Sequence, residues 1–109
     1  MRIWDIPPEQ LCRNHLLGEH RELHAIWSIL VHDKKGYSHH PETVRWRGKQ
    51  KALYLRHDAL VTEMMRRRYH HHSPLEIQFA TGEDHQDILV DSRDEQVRLL
   101  QQKNCGCMV

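Results

Sequence analysis

His15, Gly18, Glu22 and Ala25 recur at spacings of three, four and three residues, which on a helix stacks them along one stripe. A Gly in mid-helix costs about 1 kcal/mol relative to Ala, so its place between a His and a Glu asks for a reason. A Gly and an Ala on that stripe leave a concave floor under two ionisable groups. A carboxylate held over such a floor can stabilise positive charge in a transition state and shuttle protons. Arg21 lies about 100° around the helix from Glu22, within reach of a bound anion. The stripe begins close to the amino terminus, so Met1 can fold back towards it. The unperturbed α-amine has a pKa of about 7.7–8.0, far below that of a Lys amine. A larger share of it is neutral and able to attack a carbon and form an imine. The plainer alternatives are a surface carboxylate for Glu22 and a capping or core-edge imidazole for His15.

The elements that must position these groups are helical. Pro7-Pro8 opens a first helix over residues 8–33, with Cys12, Leu16, Leu23, Ile26, Trp27 and Leu30 on one face. Lys34-Lys35-Gly36 reads as its stop. Ser38-His39-His40-Pro41 starts a second helical region ending near Tyr69, which Gly48 divides into a short and a long piece. Within it Arg45, Lys49, Arg56 and Arg67 line one stripe beside the apolar arc of Trp46, Leu53, Tyr54, Leu60, Val61 and Met64. Residues 76–91 read as irregular. Ser92-Arg93-Asp94-Glu95 is a capping-box pattern that opens a third helix over 93–103, with Val97 and Leu100 inward. The expectation is an all-α single compact domain of three main helices with an irregular segment before the last.

A chain of 109 residues makes one domain with a core that needs no disulfide staples. Three Cys, two of them near the end, are no secreted disulfide framework. No apolar run approaches the roughly 20 residues of a bilayer span, and Met1-Arg2-Ile3-Trp4-Asp5 is not the start of a signal peptide. The expectation is a cytoplasmic monomer without membrane association, with a core built mostly of Leu, Ile, Val and Met. The net charge is +1, but it is unevenly spread. Residues 1–75 hold 13 Lys/Arg against 8 Asp/Glu, and residues 76–109 hold 3 against 7. The near-neutral total argues against a uniformly basic nucleic-acid coat, but this polarity would set any nucleic-acid partner on the basic body and residues 76–91 away from it.

The string His15-Leu16-Leu17-Gly18-Glu19-His20-Arg21-Glu22-Leu23, with Arg2-Ile3 at the right distance before it, resembles the start of the pyrimidine dimer DNA glycosylases of the phage endonuclease V type. Weaker similarity runs from Lys51-Ala52-Leu53-Tyr54-Leu55-Arg56 to Arg66-Arg67-Arg68-Tyr69. The resemblance implies an all-α fold and damaged double-stranded DNA as partner, bound near the nucleoid. It implies removal of one base of an ultraviolet-induced pyrimidine dimer, followed by strand cleavage at the abasic site. The implied nucleophile is the N-terminal amine, here that of Met1, because Arg2 is too bulky to allow removal of the initiator. Glu22 matches the family's essential glutamate, Arg2 and Arg21 its phosphate-binding residues, and His15 a residue at the edge of the active site. Ala25 stands where the family has a further Arg, and the C-terminal segment lacks the family's aromatic and basic residues. No metal or other cofactor is implied. To the implied DNA contacts the spacing adds Arg45, Lys49, Arg56 and Arg67, with the Arg66–Arg68 cluster.

Two other classes compete. A non-catalytic nucleic-acid-binding module would keep the basic stripe without a free amine or Glu22. A metal-dependent His-rich nuclease would use His20 and His24 or the His70–His72 run. However, His20-Arg21-Glu22-Leu23-His24 lacks the zinc-protease order, and Cys105-Gly106-Cys107 has no second Cys pair at finger-like spacing.

Overall fold

The computed structural model describes residues 1–109. Four α-helices follow one another with no strand between them: α1 (Arg13–Val31), α2 (Pro41–Val44), α3 (Gln50–Arg66) and α4 (Arg93–Gln102). The chain is therefore all-α. The helix expected over 8–33 is interrupted near its start. Pro8–Gln10 form a 3-10 turn, and Leu11 and Cys12 are extended before α1 begins. The second region divides at Gly48, whose φ of +73° favours a glycine. Ser92 caps α4 by accepting from the Glu95 N–H at 3.1 Å, as its capping pattern predicts.

One apolar cluster holds the molecule together. Leu16, Leu23, Ile26 and Trp27 of α1 face Leu53, Leu60 and Met64 of α3, and Leu100 of α4 closes one side. Ile3, Trp4, Ile6 and Leu11 thread the N-terminal segment into the same cluster. As expected the core is mostly Leu and Ile with one Met, and it departs from expectation only in its Trp and Val. All three Trp are buried and no Val is, because three indoles supply the volume that a 109-residue chain with one Phe needs.

Residues 76–91 are irregular apart from a 3-10 turn at Ile77–Phe79, but they are not detached. The first N–H groups of α3 have no partner within their own helix, and this segment supplies one. Lys51 N–H donates to Thr81 O at 2.7 Å and Ala52 N–H to Glu83 O at 3.0 Å. Glu83 N–H returns a bond to Gly48 O at 2.9 Å. The contact is so close that a Cβ on Gly82, at φ +82°, would sit 2.2 Å from Gly48 O. Gly82→Ala is therefore expected to destabilise the fold by at least the roughly 1–2 kcal/mol of the left-handed conformation. In a thermal melt this reads as a Tm lower by several degrees; an unchanged Tm would contradict the close approach.

Candidate active site

The N-terminal segment is held by carboxylates rather than by a helix or a sheet. Ile3 N–H donates to the Glu42 carboxylate at 2.5 Å, and Trp4 N–H to Glu19 Oε1 at 3.0 Å. Asp5 N–H donates to Gln96 Oε1 at 2.7 Å. Glu42, Glu19 and Gln96 are all buried, and the two carboxylates carry their own counter-charges. Arg56 forks onto Glu19 at 2.7 and 3.0 Å. Arg45 donates to Glu42, to Asp5 and to the Ile3 carbonyl. Burial raises the Glu19 pKa, with Arg56 drawing it back down. Burial opposes the charge on Arg45, yet Glu42 and Asp5 outweigh it and hold the guanidinium above its ordinary pKa.

This clamp leads Met1 onto the exposed side of α1. Met1 and Glu22 line two neighbouring recesses together. One, of about 350 Å³, is also walled by Arg2, Trp4, His15, Gly18 and Lys103. The other, of about 460 Å³, runs past Ala25, Tyr37 and His40. The stripe His15–Gly18–Glu22–Ala25 thus forms the floor between them. A Cβ added to Gly18 would meet nothing within 4 Å, so the glycine opens space instead of relieving a clash. Gly18→Ala is expected to stabilise α1 by up to about 1 kcal/mol, read as a higher urea midpoint with an unchanged m-value. Destabilisation would mean that the floor is packed.

Glu22 is half-buried and Arg21 is exposed. Arg2 is less free than the sequence suggests: it pairs with Asp91 at 2.9 Å and lies over the Trp4 ring at 4.8 Å. The acidic segment, expected to lie away from the nucleic acid, thus reaches the rim of the candidate site at Asp91. His15 faces sulfur. Its Nδ1 lies 3.1 Å from Cys12 Sγ and 3.5 Å from Cys107 Sγ, and burial followed by Lys103 lowers its pKa.

The expected basic stripe is not on the surface. Arg45 and Lys49 are 4% and 5% exposed. Arg45 is spent on the N-terminal clamp, and Lys49 donates to Asp87 at 2.6 Å and Gln86 at 3.1 Å. Arg56 serves Glu19. Arg67 donates to Glu63 at 2.6 Å and to the Pro8 and Leu11 carbonyls. The helical spacing of these cations is real, but each one is engaged within the molecule: Arg45 and Arg56 by buried carboxylates, Arg67 by Glu63 and backbone carbonyls, and Lys49 by the exposed Asp87 and by Gln86. The exposed cations nearest in sequence are Arg47, Lys51, Arg66 and Arg68. Of these, Arg66 pairs with Glu63, whose carboxyl its hydrogen bond helps hold down to about 2.

Sequence reasoning missed two gatherings of side chains. Cys12, His15, Cys105 and Cys107 meet where the C-terminal segment lies against the start of α1, and His20, His24, His57 and His71 meet between α1 and α3. Burial first, then neighbouring imidazoles, lowers His20 and His57 to about 4. The Cys12-x-x-His15 spacing was the available signal for the first. The His20/His24 pair was the signal for the second, although its partners lie far along the chain.

No helix is long and apolar enough to cross a membrane. Among protein-family models, the one described as pyrimidine dimer DNA glycosylase matches residues 1–77. Neither the curated proteins nor the solved structures contain a match.

Proposed function

Because this chain belongs to the pyrimidine dimer DNA glycosylase family, we propose that it also cleaves the DNA strand after excising the base, through an imine formed by the Met1 α-amine. The observation that carries this reading is the juxtaposition of Met1 and Glu22, which line the same two recesses.

The chemistry follows from that pairing. A base inside a stacked duplex is out of reach, so the nucleotide must be extruded. The neutral Met1 amine attacks the sugar C1′, the glycosidic bond breaks, and the base leaves with its bonding electrons and is protonated. Positive charge builds on the sugar, and the Glu22 carboxylate stabilises it. Loss of the amine proton and opening of the ring give a protonated imine at C1′. Its electron demand acidifies C2′–H; Glu22 takes that proton, and the 3′ phosphate leaves with its electrons. Water then hydrolyses the imine and restores the amine. In this reading Arg21, exposed beside Glu22, holds a flanking phosphate, and Arg2 at the rim joins it by exchanging Asp91 for phosphate. His15 serves the walls of the recess in this scheme. Arg45, Lys49, Arg56 and Arg67 act from inside, by holding Met1 and the elements around it.

Borohydride reduction tests the proposal. Untagged protein incubated with abasic or dimer-containing duplex is expected to yield a covalent complex whose DNA adduct maps to the Met1 nitrogen. An acetylated N-terminus should yield none. A non-catalytic binding module would retard the duplex in a gel but never trap, and trapping by an acetylated chain would assign the nucleophile elsewhere.

A further inference from the structure

We propose that Cys12, His15, Cys105 and Cys107 hold a structural zinc ion that fastens the C-terminal segment to the front of α1. The four ligand atoms lie within 4.8 Å of one another. A tetrahedral zinc with its usual bond lengths sets S···N edges near 3.5 Å and S···S edges near 3.8 Å. Cys107 Sγ to His15 Nδ1 is 3.5 Å, Cys12 Sγ to His15 Nδ1 is 3.1 Å, and Cys105 Sγ to Cys107 Sγ is 3.5 Å. The cluster is therefore close to the size the ion requires, and slightly contracted.

The surroundings are those of a ligand set. Cys12 N–H donates to Cys107 Sγ at 3.0 Å, the kind of bond that supports a thiolate and orients it. Met108 N–H donates to Gln10 O at 2.7 Å, fixing the tail on the far side of the pair. The Trp4 ring stands edge-on to His15, with centroids 5.7 Å apart, and holds the imidazole plane. Three sulfurs and one nitrogen are a donor set that selects zinc over harder cations. The extended Leu11–Cys12 break before α1 falls at this cluster, where Cys12 meets the tail.

A second centre stands on separate distances, and we infer that His20, His24, His57 and His71 hold another zinc. Two Nε2···Nε2 separations, His24 to His57 and His20 to His71, are 3.2 Å each. An N···N edge in tetrahedral zinc is about 3.3 Å. All four ring nitrogens lie within 4.8 Å of one another. His20 and His24 come from successive turns of α1, His57 from α3 and His71 from the segment beyond α3. The ion would thus staple the two main helices together.

Metal analysis of the full-length chain, purified under reducing conditions, loaded with zinc and desalted, tests both. Two zinc ions per chain are expected. Cys105→Ser/Cys107→Ser should lower this to one and abolish the thiolate charge-transfer bands of the Co²⁺-loaded protein. His20→Asn/His71→Asn should lower it to one and leave those bands in place. Cys105→His keeps a donor at its position and should retain the ion with weaker charge-transfer bands, which separates a lost ligand from a lost fold. In the wild-type chain, zinc should protect all three thiols from a disulfide reagent until a strong chelator is added. Thiols equally reactive with and without zinc, or zinc content indifferent to the Cys pair, would overturn the first site. Zinc content indifferent to the His pair would overturn the second.

Discussion

Glu22→Gln is expected to slow strand cleavage at an abasic site by about 10²–10⁴-fold, the usual worth of a positioned proton-transfer group, while duplex binding is retained. The substitution keeps the shape of the side chain and removes both its charge and its basicity. Duplex affinity rests mainly on phosphate contacts, and losing one negative charge beside Arg21 does not weaken them. Rapid-quench cleavage of an abasic duplex, together with gel retardation of the same DNA, separates the two effects. Full cleavage by the Gln variant would remove Glu22 from the mechanism. Loss of binding and cleavage together would make it part of the docking surface.

Glu42→Ala is expected to cost about 3–5 kcal/mol, the loss seen when one partner of a buried ion pair is removed. Glu42 is 3% exposed and Arg45 is 4% exposed, so the guanidinium would keep only Asp5 as a charged partner. The same change orphans the Ile3 N–H, and Met1 lies two residues upstream. A misplacement of about 1 Å can cost 10²-fold in rate, so borohydride trapping should fall even at temperatures where the variant is folded. Glu42→Gln keeps an acceptor for Ile3 and should restore part of the trapping rate while remaining less stable than the parent. A variant that melts early but traps at the parental rate would show that the clamp serves the fold alone.

The helices were legible because their apolar spacing is local. Leu16, Leu23, Ile26 and Trp27 announce α1 whatever packs against them, and Ser92 to Glu95 announce the start of α4. The stripe beneath the recesses was legible for the same reason, since His15, Gly18, Glu22 and Ala25 lie on consecutive turns. The fate of the cations was not. Counting charge along residues 45–68 says how many there are and nothing about what they meet. Glu42 lies three residues from Arg45 and gave a hint, but Glu19 is 37 residues from Arg56, and no periodicity links them. Charge tallies therefore mistook an internal scaffold for a binding face. His57 escaped notice likewise, and His71 stood out only within the His70–His72 run, because each becomes a neighbour of His20 only when α1 and α3 pack.

The anchor on Asp5 is the Gln96 side chain, which also donates to Asp5 Oδ2 at 3.0 Å. Gln96 lies well beyond the matched residues 1–77. A truncated gene ending at the family boundary would encode the proposed nucleophile, its glutamate and the Glu42 and Glu19 anchors, yet it would lose the third anchor of the segment that carries the nucleophile. The segment that looks like the enzyme is thus shorter than the piece of chain that must be inherited together, and Asp5 and Gln96 are expected to vary as a pair.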